Sequence, residues 1–324
     1  MAMSYDLVIP AWHHGHVEPD AVQRALQATA DGGVIGLPTE TVYGLAALAK
    51  DRVAVARVFE IKGRPSDHPV IVHVAGPTDL RNWGKGVADY AVRLAEGLWP
   101  GPLTLVVPAA DDVPRYLTGG QDTVGLRCPA HPVALAVIEA TGPMAAPSAN
   151  RFGQVSPTTA ADVVGDIGDR LAPQRDLVLD GGPCPVGVES TILDCTGDAP
   201  RVLRWGAVEV EEIERVSGRR VSNGTSAVRA PGGLASHYAP RAEVHLGDHP
   251  APGDGFLALK QVPTPSGAVR LAEPEDTRAF AAVLYRSLRD ADALGLPAVW
   301  AQPPADGSAL AVAVGDRLHR ASVR

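Results

Sequence analysis

Over residues 217–233 (SGRRVSNGTSAVRAPGG) the sequence loses all periodicity and fills with Gly, Ser and Pro, the composition of a linker rather than of a packed element. A chain of 324 residues is long enough for one large domain or two ordinary ones, and this break favours two. We therefore expect a first domain over residues 1–216, a linker over 217–240 and a smaller α/β domain over 241–324.

Before the linker, amphipathic spacing predicts helices over residues 18–30, 51–61, 87–98 and 131–140. Short apolar runs predict strands beginning at Val34 and over 70–74, 103–107, 123–128, 144–147, 177–179, 190–193 and 201–203. Beyond it, strands are expected at 243–246, 255–259, 268–271 and 298–301, with helices at 275–293 and 308–320. Several strands in near succession between helices predict an α/β or α+β sheet that curves, not a plain dinucleotide-binding unit. Neither GxGxxG nor a Walker A sequence is present.

Composition excludes some functions. A net charge of −8 argues against a generally basic nucleic-acid surface. Cys128, Cys184 and Cys195 form no CxxC pair, and buried thiols in a reducing compartment are expected. The start MAMSYDLVIP has no signal-like character, and no run has the length of a membrane span. Together these predict a cytoplasmic protein. With aromatics at 5%, the core is expected to be aliphatic.

The stretch IKGRPSDHPVIVH carries the sharpest chemistry. Lys62 and Arg64 flank Gly63, and Pro65 stiffens the turn, which suits an anion such as a polyphosphate. Cations solvating a helix C-terminus explain the same residues equally well. In PTETVYGL, Thr39, Glu40, Thr41 and Tyr43 leave a buried strand as a ligand site would, or cap a following helix. His73 lies in an apolar strand, where a structural histidine is the plainer reading. Arg127 in TVGLRC needs solvent, a carboxylate or an anionic ligand. PSANRFGQVSPTTA groups Ser148, Asn150, Ser156, Thr158 and Thr159 before a helix, either to present donors to an anion or to cap that helix. The His13-His14-Gly15-His16 cluster has no acid or cysteine in support, and reads as a polar surface turn. The second domain shows no catalytic constellation.

Taken in order, PTETVYGL, KGRPSDHPVIVH, PGPLTLVVP, VGLRCPAHP, PSANRFGQVSPTTA, GVESTILD and RWG resemble the Sua5/YrdC/YciO family, and HYAP with its trailing α/β domain is similar to the Sua5 subgroup. The resemblance covers nearly all of residues 30–240. It implies a twisted, curved YrdC-like α/β sheet open to a basic cavity, with a smaller Rossmann-like C-terminal domain.

The activity it implies is L-threonylcarbamoyladenylate synthesis from L-threonine, bicarbonate and ATP, with Mg²⁺, for t6A at tRNA position 37. The product would pass to a downstream threonylcarbamoyl transferase, with no membrane and no stable nucleic-acid binding required. By the same resemblance ATP would be held by Lys62, Arg64, His68, Thr123, Ser148, Asn150, Ser156, Arg204 and Tyr238. Threonine would be held by Thr41, His73, Arg127, Ala146 and Ser190. No residue is assigned covalent or acid–base work, and no protein metal site is expected. His68 and Phe152 depart from the family pattern, as does the linker APGGLASHYAP, where SPGMKYRHYAP is common. Two other readings are an RNA-binding or ribosome-associated factor of this fold and a carbamoyl-transfer enzyme.

Overall fold

The computed structural model describes residues 7–222, 226–232 and 236–323. The start of the chain over residues 1–6, and residues 223–225 and 233–235 of the expected linker, lie outside the described residues.

The first part of the chain forms a ten-stranded mixed sheet. Its spatial order is Val8–Pro10, Leu177–Asp180, Ile35–Leu37, Gly44–Leu48, Met144–Ala145, Ile71–His73, Thr123–Arg127, Leu103–Pro108, Thr191–Asp194 and Arg201–Arg204. Parallel and antiparallel pairs are mixed across it, with three antiparallel pairs in succession joining Ile35–Leu37, Gly44–Leu48, Met144–Ala145 and Ile71–His73, so it is neither doubly wound nor a meander. The core is largely aliphatic. Ala21, Ala25, Val133 and Val137 from helices Pro19–Ala30 and Pro132–Thr141 pack on Ile35, Leu37 and Leu179. Helices Arg52–Lys62 and Asp89–Leu98 seal a larger apolar cluster.

Most sequence expectations match these elements, and the exceptions have causes. Gly44–Leu48 (GLAAL) is a central strand, buried almost throughout. With both faces covered it shows no alternation, so the sequence offers only the preceding polar turn. Val8–Pro10 is a three-residue edge strand, too short to carry a pattern. Helix Val210–Ser217 precedes the linker and went unread. His13 and His16 pair in a small exposed hairpin, and all three cysteines are free and buried.

The second part is a four-stranded parallel sheet, Glu243–Leu246, Ala298–Ala301, Gly255–Leu257 and Val269–Ala272 in spatial order. Helices Thr277–Ala293 and Ala309–Ser322 accompany it. Its core is shared with the first part, because Val42, Val155 and Val188 pack with Phe280, Leu284, Tyr285 and Leu318. The Arg289 guanidinium crosses the junction to Asp166 at 2.7 and 2.8 Å. No helix among the described residues is long and apolar enough to cross a membrane.

Candidate active site

The cavity forms where short strands of the large sheet stop or start together. Gly44 bridges to Ser148, and the Ala146 N–H donates to the Ile71 carbonyl. This juxtaposition brings the Thr39–Thr41 turn, the Ala146–Ser148 segment and Ile71 around one space. His73 and Arg127, register partners on adjacent strands, reach it from the same sheet face, and Ser190 and Arg204 close the opposite side.

At the polar end, Thr39 and Thr41 share a hydroxyl hydrogen bond of 2.9 Å. Arg127 is held before any ligand arrives: Nη2 meets Glu40 Oε1 at 2.7 Å, and Nε donates to the Gly101 carbonyl. Glu40 in turn accepts from the Ala130 N–H. A fixed guanidinium of this kind suits a carboxylate. His73 is buried, and its Nδ1 has no partner among the described residues. Burial and then the Arg127 charge push its pKa down to about 3, so at neutral pH it is a neutral imidazole facing the cavity. Ser190 Oγ shares a hydrogen bond with Thr104 and accepts from Arg204 Nη2. This polar compartment leaves about 60 Å³ of free space.

Of the cations proposed for phosphate, Arg64 and Arg204 line the cavity and Lys62 does not. The reason is local. Asp51 caps helix Arg52–Lys62 through the Val53 and Ala54 N–H groups, and Gly63 ends it at φ 64°, a conformation that costs glycine nothing. The turn sends Arg64 outward and leaves Lys62 inside. There, 2% exposed, its ammonium donates to the carbonyls of Ser148 (2.5 Å) and Asn150 (2.6 Å). Burial, with Arg64 nearby, lowers its pKa. In this structure Lys62 is the clasp of the 148–150 loop, with two of its three donors engaged.

Arg64 donates to the Pro69 carbonyl and lies near the rings of Phe59 and Phe152. It also lines a second compartment of about 340 Å³, with His68, Pro69, Phe152, Leu203, Val228 and Arg229. The two compartments share Arg64, Pro231, Gly232 and His237. Thr123 lies in a small adjoining recess beside Ile71 and Gln121. Asn150 is buried, its side-chain amide donating to the Arg151 and Gln154 carbonyls. Ser156, fully buried, donates to Glu189. Thr158 and Thr159 serve helix Ala160–Ile167 through a capping box with Asp162, so for these two the capping alternative holds.

The described part of the linker is a strap across the open sheet face. Ser226 donates to Asp194, Arg229 exchanges hydrogen bonds with Gln121, and Val228 and Ala230 pack on Ile71, Val106 and Ile192. Pro231, Gly232, His237 and Tyr238 then line the cavity. Tyr238 takes φ 62°, is buried, and stacks on Tyr285. Burial, followed by the nearby cations of the cavity, lowers the pKa of His237 to about 4, against the opposing pull of Glu189.

The residues that sequence reasoning missed are Glu189 and two of its partners, Arg317 and Tyr285. Burial alone would raise the Glu189 carboxyl, but Arg317, then Arg204 and a Ser156 hydrogen bond, hold it down at about 2. Tyr285 also donates to it. Arg317 and Tyr285 come from the second part of the chain, which shows no catalytic constellation in sequence, and no local motif marks them. Glu40 was visible in TETVY but not as the partner of Arg127.

Comparison with known proteins agrees with this architecture. The profile of the Sua5_yciO_yrdC family, described as "Telomere recombination", matches residues 27–206. The Sua5_C profile, "Threonylcarbamoyl-AMP synthase, C-terminal domain", matches 208–323. A threonylcarbamoyl-AMP synthase of Pyrococcus abyssi is 38% identical over 94% of this chain and 95% of its own length. One of Bacillus subtilis is 43% identical over 69% of this chain and 66% of its own length. The crystal structure of P. abyssi Sua5 complexed with L-threonine superposes with a TM-score of 0.87 at 36% identity, covering 98% of both chains.

Proposed function

This chain belongs to the Sua5/YrdC/YciO family, and from that premise we infer an L-threonylcarbamoyladenylate synthase, a nucleotidyltransferase that serves t6A formation in tRNA. The observation that carries the reading is the pair of compartments meeting at Arg64. One is small, with the polar groups of Thr41, His73, Arg127 and Ser190 set among apolar walls that include Val70, Ile71 and Ala146, which fits an amino acid. The other is larger and walled by Pro69, Phe152, Leu203 and Val228, which fits a nucleoside.

In this arrangement Arg127 receives the threonine carboxylate and neutral His73 hydrogen-bonds the substrate through its free Nδ1. ATP enters with its base toward Phe152 and His68 and its phosphates toward Arg64 and Arg204. The threonine amine either attacks carbon dioxide and releases a proton or attacks bicarbonate and releases water, and both routes give a carbamate. A carbamate oxygen then attacks the α-phosphorus and pyrophosphate leaves, so no side chain becomes covalently attached. The protein supplies orientation, desolvation and fixed positive charge along the reaction path.

Among the described residues no group of three His, Cys, Asp or Glu is placed to hold a metal ion. Mg²⁺ would therefore enter on the triphosphate, with phosphate oxygens as its ligands. We place the protein in the cytoplasm, handing its adenylate to a threonylcarbamoyl transferase. The RNA-binding and carbamoyl-transfer readings are not favoured by the relatives named above.

The test is to incubate the purified protein with ATP, bicarbonate, Mg²⁺ and each amino acid in turn, following pyrophosphate release and the adenylate by mass. Threonine-dependent threonylcarbamoyl-AMP is expected. Pyrophosphate release indifferent to threonine would defeat the reading.

A further inference from the structure

Two carboxylates lie beside the cavity, and each is paired with an arginine, although Arg317 also meets Asp316 at 3.2 Å through Nη1. Glu40 is taken by Arg127 from the same sheet. Glu189, which lines the cavity itself, is taken by Arg317 from the last helix of the chain, with Nε 3.1 Å from Oε2. Arg317 is 1% exposed, and its guanidinium also lies 5.6 Å from the Tyr238 ring centroid. Tyr285 donates to Glu189 at 2.9 and 3.1 Å, and Ser156 donates at 2.7 Å.

The consequence falls on Arg64 and Arg204. Both line the cavity, yet among the described residues they bond only neutral oxygens: Pro69 O for Arg64, and Ser190 O, Ser190 Oγ and Pro231 O for Arg204. A buried carboxylate close to Arg204 would ordinarily claim it, because an unpaired buried charge is costly. Arg317 satisfies Glu189 from behind.

We propose that Arg317 is a positioning residue contributed by the C-terminal domain: by pairing with Glu189 it keeps Arg204 out of a direct ion pair with that carboxylate and so available to a polyphosphate. The proposal rests on the synthase reading for the identity of the anion, although the charge arrangement stands without it. Docking of the second part of the chain thereby sets the electrostatics of a cavity whose lining ends at Tyr238 of the linker.

The test is a cycle of Arg317→Met, Glu189→Gln and the double variant in the full-length protein. Tripolyphosphate binding is read by calorimetry, and adenylate synthesis is measured in parallel. Arg317→Met frees Glu189 to capture Arg204 and is expected to weaken tripolyphosphate binding at least tenfold. In the double variant both charges are gone, and affinity should return to within about threefold of wild type. A role confined to packing would give no such rescue.

Arg317→Met binding within twofold of wild type, or a double variant as weak as Arg317→Met, overturns the proposal, as does a wild type that ignores tripolyphosphate. If Arg317→Met does not fold, the double variant decides alone. Near-native affinity supports the proposal, and failure to fold or a tenfold loss refutes it. A wild type that follows the cycle but makes no adenylate would refute only the synthase reading; one that makes adenylate with a flat cycle would refute only this inference.

Discussion

His73 supplies a prediction whose sign and size follow from its surroundings. Burial first and Arg127 second lower its pKa from the ordinary 6.5 to about 3. The folded chain therefore refuses a proton that the unfolded chain accepts below pH 6.5. For a base with a lowered pKa, the stabilising contribution is complete above the unfolded value and is lost as pH falls toward the folded one. Each pH unit inside that window is worth about 1.4 kcal/mol, so the cost to the wild type reaches roughly 2 kcal/mol by pH 5. His73→Gln, which cannot titrate, removes only this contribution. Urea unfolding of both proteins at pH 7.5, 6 and 5 should show their stability difference shifting by that amount in favour of the variant as pH falls. Parallel profiles, or an imidazole that titrates near its ordinary value by NMR, would refute the assignment of His73 as a neutral cavity group.

Three other substitutions separate positioning from binding. Lys62→Met strands the Ser148 and Asn150 carbonyls at about 1–3 kcal/mol per buried group, so Tm and turnover should fall together; an unchanged melting curve would contradict the clasp. Arg127→Met should raise the threonine KM about tenfold or more, from a lost contact of about 1.5–3 kcal/mol, with a much smaller change in the ATP KM. Gly232→Ala forces a side chain into φ 85°, with its Cβ 2.8 Å from the Tyr238 hydroxyl. The strain alone is about 1–2 kcal/mol, so steady-state turnover should slow, and wild-type kinetics would show that the strap need not fit closely.

How much the sequence revealed depended on whether a residue's partners were local. The ends of helix Arg52–Lys62 were legible because its cap and its αL glycine sit within the motif. The four strands of the second part were legible because each is bounded by turn residues, whereas their parallel pairing is a finding of the fold. Strand Gly44–Leu48 was not, since burial of both faces erases alternation. The roles of Glu40 and Glu189 were also hidden, because their cations are 87 and 128 residues away. His73 shows the intermediate case: its strand was clear, but whether its ring was satisfied depended on neighbours that only the fold supplies.

The same distinction changes how the KGRP motif should be understood. By residue type, Lys62 and Arg64 form a cationic pair, and either could meet a phosphate. By partner accounting they diverge. Lys62 bonds two carbonyls of the loop over which the substrates would lie, whereas Arg64 bonds one carbonyl and faces both compartments. The loop carrying Ser148 and Asn150 is thus fixed by the residue before Gly63, and the cavity is charged by the residue after it. A single left-handed glycine divides the two tasks, because it ends the helix and turns successive side chains to opposite sides. Activity should therefore respond to Lys62 through loop order and to Arg64 through the KM for ATP.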